Sequence, residues 1–482
     1  MIAPLPYNSA LGSVVMEQMQ QLGVILLAAG QGTRMRSALP KVLHTLGGKP
    51  LFLHALKTAQ RLQPKWVAVV IGHGAEAVRQ AYSGSDVDWR VQEQQLGTGH
   101  AVLMAKPAFA DFSGDLLILS GDVPLIREAT LAALVEQHRR SRAALTLLTA
   151  SLDNPKGYGR ILRAGDGKIT GTVEEKDASE TQRQIREVNA GVYVASARFL
   201  FAALDGVKNN NQQGEYYLPD IVAIGLAHGK VIETLQVDDP REMMGVNTRE
   251  ELAFMEKTLR DSINKKWLLA GVTLKDPDTT YIDESVTIGK DTVIGPNTQL
   301  CGKTVIGERC RIDGSAYLTD AEIADDVHIR FSVVMASCRV EQGAIIGPFA
   351  HLRPGTALGP NVHIGNFVEA KEAKLGAGTK ANHLTYLGDV TIGQDTNIGA
   401  GTITCNYDGF RKYQSKIGDR VQVGSDTTLV APITLGDDVY VATASTVRHD
   451  IPAGALVFNQ REEKIREGWT EQKRRQMKGK QK

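Results

Sequence analysis

Val-Ile-Leu-Leu-Ala-Ala-Gly-Gln-Gly-Thr-Arg-Met-Arg-Ser-Ala-Leu-Pro-Lys, residues Val24 to Lys41, decides the reading of the first half of this chain. Val24 to Leu27 is a short unbroken apolar run, as in a strand buried on both faces of a parallel sheet. Two small residues, Ala28 and Ala29, and the turn Gly30-Gln31-Gly32 follow. Small side chains let a ligand approach the backbone, and a loop at the carboxyl end of a buried strand points N–H groups at a phosphate. Arg34 and Lys41 add positive charge. The string has no Gly-Lys-Ser/Thr after its glycines, so it is not a Walker loop, and its spacing differs from the dinucleotide fingerprint.

Working outward, Val42 to Leu62 has helix-like apolar spacing, and Trp66 to Ile71 is a second buried strand. Gln92 to Gly99 ends in Gly97-Thr98, where backbone and hydroxyl groups could meet a base or ribose. Leu116 to Leu119 is a third strand, followed by Ser120-Gly121-Asp122. An Asp there either caps the next helix or stands where open α/β sheets bind ligands. Its carboxylate suits Mg²⁺, and Asn247, in Gly245-Val246-Asn247-Thr248, offers a carbonyl oxygen to the same ion. The islands around Gly159, Glu174 and Asn189 are turns or sugar contacts. Alternating strands and helices indicate a Rossmann-like α/β domain with a mostly parallel sheet. Thr248 and Glu251 have capping-box spacing, and Leu252, Met255, Leu259 and Ile263 then recur at helical spacing.

The second half has a different period. Ile282, Ile288, Ile294, Leu300, Ile306, Ile312 and Leu318 are six apart. Val340 to Ile364 and Ile417 to Val447 continue the rhythm, and glycine often follows the aliphatic. Six is no helical period; it fits a parallel β-helix with aliphatics pointing to the axis. The rhythm breaks around His383 and again from Cys405 to Lys416, which reads as a loop leaving the coil. His383 is either structural or a base for an amine, among Arg353, Glu369, Lys371, Tyr386 and Asn397.

The chain has 482 residues, enough for two or three domains, and a formal net charge of +1, which argues against nucleic-acid or membrane-surface binding by bulk charge. No apolar run approaches the roughly 20 residues of a membrane span. Four cysteines without metal-type pairing suggest a reduced, cytoplasmic protein. Residues 1–15 read as a disordered leader or an upstream start. The layout expected is an α/β domain over 18–246, a linker helix over 247–267, a β-helix over 268–470 and a solvated basic tail over 471–482.

The Gly30 to Lys41 loop joined to hexapeptide repeats, with His-Leu-Thr-Tyr-Leu-Gly at 383–388 and Thr-Ile-Thr-Cys-Asn-Tyr-Asp-Gly at 402–409, resembles the bacterial bifunctional N-acetylglucosamine-1-phosphate uridyltransferase / glucosamine-1-phosphate N-acetyltransferase family. The resemblance implies a left-handed β-helix, a homotrimer, and two reactions. Acetyl-CoA acetylates glucosamine 1-phosphate, and UTP then gives UDP-N-acetylglucosamine and pyrophosphate. It places nucleotide and sugar contacts on Leu27, Ala28, Ala29, Gly30, Arg34, Lys41, Gln92, Gly97, Thr98, Gly159, Glu174 and Asn189, and Mg²⁺ ligands on Asp122 and Asn247. It places the acetyltransferase base on His383 and sugar-phosphate contacts on Arg353, Lys371, Tyr386, Asn397 and Lys412. Acetyl-CoA contacts fall on Ala400, Asn406, Tyr407, Ser425, Thr443 and Arg461. Thr443-Ala444 departs from the Ala-Gly usual in the family.

Overall fold

The computed structural model describes residues 21–460 and 462–479. The leader, Arg461 and the last three residues lie outside them. The chain divides into two compact units, up to Leu259 and from Arg260.

The first unit is built on a nine-stranded sheet. Its strands are β1 (Leu22–Ala28), β2 (Trp66–Ile71), β3 (Asp88–Val91), β4 (Asp115–Ser120), β5 (Leu145–Ser151), β6 (Arg160–Arg163), β7 (Ile169–Val173), β8 (Glu187–Ser196) and β9 (Ile232–Gln236). The main order is β9-β5-β8-β4-β1-β2-β3, with β6 and β7 hanging from β8. β1 is parallel to both β2 and β4, and β9 to β5, while β8 runs antiparallel between β4 and β5. The apolar run of β1 is buried because helices cover both sheet faces. Val24, Leu26 and Ala28 enter one core and Ile25 and Ala29 the other. The reversal of β8 brings its first residues, including Asn189, to the edge where the parallel strands end.

One expected helix is shorter than its spacing implied. Val42 to Leu62 begins as a 3-10 turn over Lys41–Leu43 and a small hairpin pairing Thr45–Leu46 with Lys49–Pro50. Gly47 and Gly48 both turn at positive φ. The helix α1 starts only at Leu51 and ends at Gln60. Apolar spacing alone could not see the Gly-Gly turn.

The helix Arg249–Leu269 (α2) spans the division. The Glu251 carboxylate accepts from the Thr248 N–H, and Thr248 Oγ1 accepts from the Glu251 N–H, which completes the capping box. Met255, Leu259 and Ile263 are buried. Asn264 donates to the carbonyls of Pro277 and Thr280, which fixes the end of the helix to the start of the second unit.

The second unit is a parallel β-helix of short strands in one 26-stranded ladder. Ile288 pairs with Ile306 and Leu300 with Leu318, eighteen residues on, so three hexads close one coil. Some coils are one residue shorter, as in Ile329 with Ile346 and Ala370 with Leu387. That shortening is the phase shift seen in the sequence. One step is far longer: Ile392 pairs with Ile417, and the extra residues leave as the loop holding Phe410, which is almost fully exposed. The hexad aliphatics are buried throughout the coils.

Where glycine follows the aliphatic, the next coil leaves no space for a side chain. A Cβ on Gly365 would lie 2.0 Å from the Asn382 carbonyl oxygen, and one on Gly295 would lie 2.1 Å from that of Asp313. Other corners carry ordinary residues at left-handed φ, such as Phe349, Phe367, Leu384 and Ala444. Past the coils, the tail forms an exposed helix, Trp469–Gly479 (α3). The described part of the basic tail is therefore solvated but helical.

Gly365→Ala must separate two backbone segments. It is expected to destabilise the second unit by about 1–3 kcal/mol, the scale of forced overpacking. A thermal melt superimposable on that of the parent protein would contradict the coil contact described.

Candidate functional site

In the first unit, three segments distant in sequence meet at the carboxyl edge of the sheet. Lys41 Nζ forms a short ion pair with the Asp122 carboxylate and donates to Asn247 Oδ1 at 3.0 Å. The Lys41 and Asp122 side chains are largely buried. Asp122 does not cap the following helix, which is α-helical from Glu128 behind Arg127, so the ligand-side reading of its position stands. Burial alone would raise the Asp122 pKa. The Lys41 charge and hydrogen bond, with one from Ser120, outweigh burial and hold the carboxyl below its usual range. Two hard oxygens already converge on one cation. A carboxylate and an amide carbonyl fit Mg²⁺, which usually takes one or two protein oxygens and fills its shell with water and phosphate.

One phosphate-loop glycine packs directly on the stem of Lys41. A Cβ on Gly32 would lie 2.4 Å from Lys41 Cβ, so that glycine lets the lysine stem pass. Gly30 is different: nothing lies within 4 Å of its missing Cβ, and its φ is not left-handed. Leu27 and Ala28 close β1, Ala29 follows it, and Arg34 is exposed in the 3-10 turn Thr33–Met35. Gln31 Nε2 donates to Gln95 Oε1 at 2.8 Å, which joins this loop to the Gln92–Gly99 segment. Within that segment the buried Gln92 amide donates to the Gly97 carbonyl at 3.1 Å. The Thr98 hydroxyl accepts from the Leu218 N–H at 3.1 Å, so it anchors a neighbouring turn.

The sugar-side residues form a second group on the same edge. Asn189 N–H donates to the Gly159 carbonyl at 2.9 Å. The Glu174 carboxylate faces the Gly159 Cα, where a Cβ would lie 3.1 Å from Glu174 Oε1. Burial, with Asp220 and Asp177 nearby, pushes Glu174 above the usual carboxylate range. Asn189 Nδ2 donates to the buried Tyr193 hydroxyl at 2.6 Å, beside the irregularity in the β8–β5 register. Tyr193, Ser120 and Gln95 were not singled out in the sequence. Each lies within four residues of a named position, but pattern alone does not mark it.

In the second unit, coil stacking assembles another cluster. Glu369 pairs with Tyr386, Lys371 with Gly388, and Asn366 with His383 on adjacent strands. Arg353 Nη1 donates to Glu369 Oε1 at 2.7 Å. Lys371 Nζ lies 3.4 Å from Asp389, whose other oxygen takes a short bond from the Asn406 amide. Asp389 escaped sequence reasoning; it sits at left-handed φ directly after Gly388. Asn397 pairs with Lys380 and Gln422. His383 is exposed and lies across the Leu384 corner from Tyr386, and its carbonyl takes a long bond from the Gly401 N–H at 3.4 Å. The Ala400 carbonyl accepts from Asp426 and that of Ser425 from Ala444. Tyr407 and Lys412 bridge the projecting loop, away from the Lys371–Asp389 cluster in hydrogen bonding. Thr443 is exposed, and Ala444 adopts left-handed φ where the family's glycine would be unstrained. Arg461 lies outside the described residues.

A nucleotidyltransferase-type sheet and a hexapeptide-repeat coil, each with its own polar cluster, define a two-site transferase. Comparison with known proteins agrees. Residues 24–203 match the MobA-like NTP transferase domain, and residues 337–369 match the six-repeat bacterial transferase hexapeptide family. Residues 277–346 match the GMPPB C-terminal domain, and 415–447 the hexapeptide repeat of succinyl-transferase. The chain is 48% identical to the bifunctional protein GlmU of Geotalea uraniireducens, over 94% of this chain and 99% of that one. Against the GlmU of Streptococcus agalactiae it is 43% identical, over 93% and 97%. The chain belongs to the GlmU family. It is a bifunctional enzyme, a uridyltransferase and an acetyltransferase, its second unit is a left-handed β-helix, and the family uses Mg²⁺, UTP and acetyl-CoA.

The Lys41–Asp122 pair has a signed pH consequence. A depressed folded pKa contributes stability above the unfolded carboxylate value, about 3.9, and loses it as pH falls through the lower folded value. The stability gap between the parent protein and Asp122→Asn, followed by melting the first unit, is therefore expected to narrow below about pH 4. A gap constant down to pH 3 would contradict the pairing.

Proposed function

We propose that residues 18–246 carry uridylyl transfer and residues 268–470 acetyl transfer, with 247–267 as linker helix and 471–482 as a basic tail. The observation that carries this reading is the meeting of Asp122 and Asn247 oxygens on the Lys41 ammonium, at the end of the loop that also holds the open Gly30. In the front unit the Gly30 loop and the Gln92–Thr98 segment hold UTP, and Gly159, Glu174 and Asn189 orient N-acetylglucosamine 1-phosphate. Asp122 and Asn247 would hold Mg²⁺, which when bound neutralises phosphate charge. Lys41 exchanges its carboxylate partner for a phosphate oxygen, so catalysis is positioning and electrostatics.

In the β-helix, Arg353, Lys371, Tyr386, Asn397 and Lys412 hold glucosamine 1-phosphate. His383 takes the proton from its amine as nitrogen attacks the acetyl-CoA thioester carbonyl; the C–S bond then breaks, the acetyl group stays on nitrogen as an amide, and coenzyme A leaves as its thiolate, which takes up a proton. Ala400, Asn406, Tyr407, Ser425, Thr443 and Arg461 line the acetyl-CoA side. A homotrimer is supported by a ridge of exposed Phe331, Phe349, Phe367 and Leu384 on successive coils, with the Phe349 and Phe367 rings stacked 5.4 Å apart. His383 adjoins that ridge, so a subunit seam there would bring a neighbour's groups to it. The membrane side is simple: among the described residues no helix is long and apolar enough to cross one. The protein works in the cytoplasm on small molecules.

Two substitutions test the division of labour. His383→Ala is expected to cost acetyl transfer on the order of 10²-fold or more while uridylyl transfer and trimer persist. Near-normal acetyl transfer in the mutant trimer would remove the base role. Gly30→Ala meets no protein atom, so the melt should stay within about 0.5 kcal/mol of the parent, whereas the KM for UTP should rise. An unchanged KM would place the nucleotide elsewhere.

A further inference from the structure

The two proposed metal ligands lie on segments far apart in sequence. Asp122 follows β4, whereas Asn247 closes the unit more than a hundred residues later. Between them, the structure shows a third carboxylate outside the site. Glu242 is buried, in the 3-10 turn Pro240–Met243 that leads into Gly245-Val246-Asn247. Its Oε2 accepts from the Thr130 hydroxyl at 2.6 Å and from the Arg127 N–H at 3.2 Å. Its Oε1 forms a short ion pair with the Arg127 guanidinium. Arg127 and Thr130 stand at the start of the helix Glu128–Ser141, which the Asp122 loop enters.

A buried carboxylate is costly unless it is fully partnered, and every partner here belongs to the Asp122 segment. Two further bonds continue the tie. The Val246 N–H donates to the Asp122 carbonyl at 2.9 Å, and the Glu251 carboxylate accepts from the Asn247 N–H at 2.6 Å. The Asn247 backbone is thus held from behind by α2 while Glu242 fastens the chain in front of it.

We propose that Glu242 is a positioning residue of the uridylyl-transfer site: by binding Arg127 and Thr130 it fixes the spacing of Asp122 and Asn247 and so sets metal affinity. It touches neither ligand's side chain. This rests on the reading of Asp122 and Asn247 as the Mg²⁺ ligands.

The test uses the full-length protein as Glu242→Gln, Thr130→Val and Asp122→Asn. Mn²⁺ alone is titrated and followed by the electron-paramagnetic signal of the free ion. The Mg²⁺ dependence of uridylyl transfer is measured in parallel, with acetyl transfer as the internal control. Groups that orient metal ligands typically govern 10–100-fold in metal affinity. Glu242→Gln is therefore expected to weaken Mn²⁺ binding and to raise half-saturating Mg²⁺ by about 10-fold or more. Saturating Mg²⁺ should restore kcat, and acetyl transfer should hold. Thr130→Val should shift both quantities the same way by less. Metal binding within twofold of the parent in both variants would overturn the proposal. So would a fall in kcat without a change in metal affinity. Should Glu242→Gln fail to fold, Thr130→Val decides alone. If Asp122→Asn itself keeps full Mn²⁺ binding and uridylyl transfer, the metal-site reading fails; if Asp122→Asn loses them and the other two do not, only the positioning role fails.

Discussion

The first unit depends on one enclosed charge contact, Lys41 with Asp122. Neither charge is stable in an apolar interior alone, and together they need a third group to finish their hydrogen bonds. Asn247 supplies it. Three chain segments are thereby committed to one point at the carboxyl edge of the sheet. The details around it serve that end: the missing side chain of Gly32 lets the lysine stem pass, and the capping box of α2 holds the Asn247 backbone.

The β-helix obeys a different constraint. Every coil must lie close enough to its neighbours for a continuous backbone ladder, and where glycine follows the aliphatic that closeness leaves no room for a Cβ. The same ladder makes catalytic geometry cheap. Residues seventeen or eighteen apart arrive side by side without any dedicated packing, as Glu369 and Tyr386 do. The polar groups of Arg353, Glu369, Lys371 and Asp389 are consequently brought together from neighbouring coils, with the Lys371 and Asp389 side chains largely buried.

Most of the fold was legible because both periods are unambiguous. The β1 run gives a strand buried on both faces, and the hexads give interior positions directly. The shortened helix has a local cause: Val42 to Leu62 holds a Gly47-Gly48 hairpin before the helix starts at Leu51. In the candidate sites, residues on loops that follow strands were readable, since topology fixes where such loops lie. Asp389, Tyr193 and Glu242 were not. Their roles come from partners brought close only by folding, and a carboxylate held by groups 112 and more residues away leaves no local trace.

The long step between Ile392 and Ile417 carries one more consequence. The coil resumes its register on the far side of the projecting loop, with Val423 still stacked on Ile398. The fold therefore keeps count in turns and is indifferent to how many residues each turn spends outside. Lengthening a corner relocates nothing in the interior. A scaffold of this kind lets recognition loops be gained, lost or exchanged independently of stability, so chemistry and architecture can change on separate schedules.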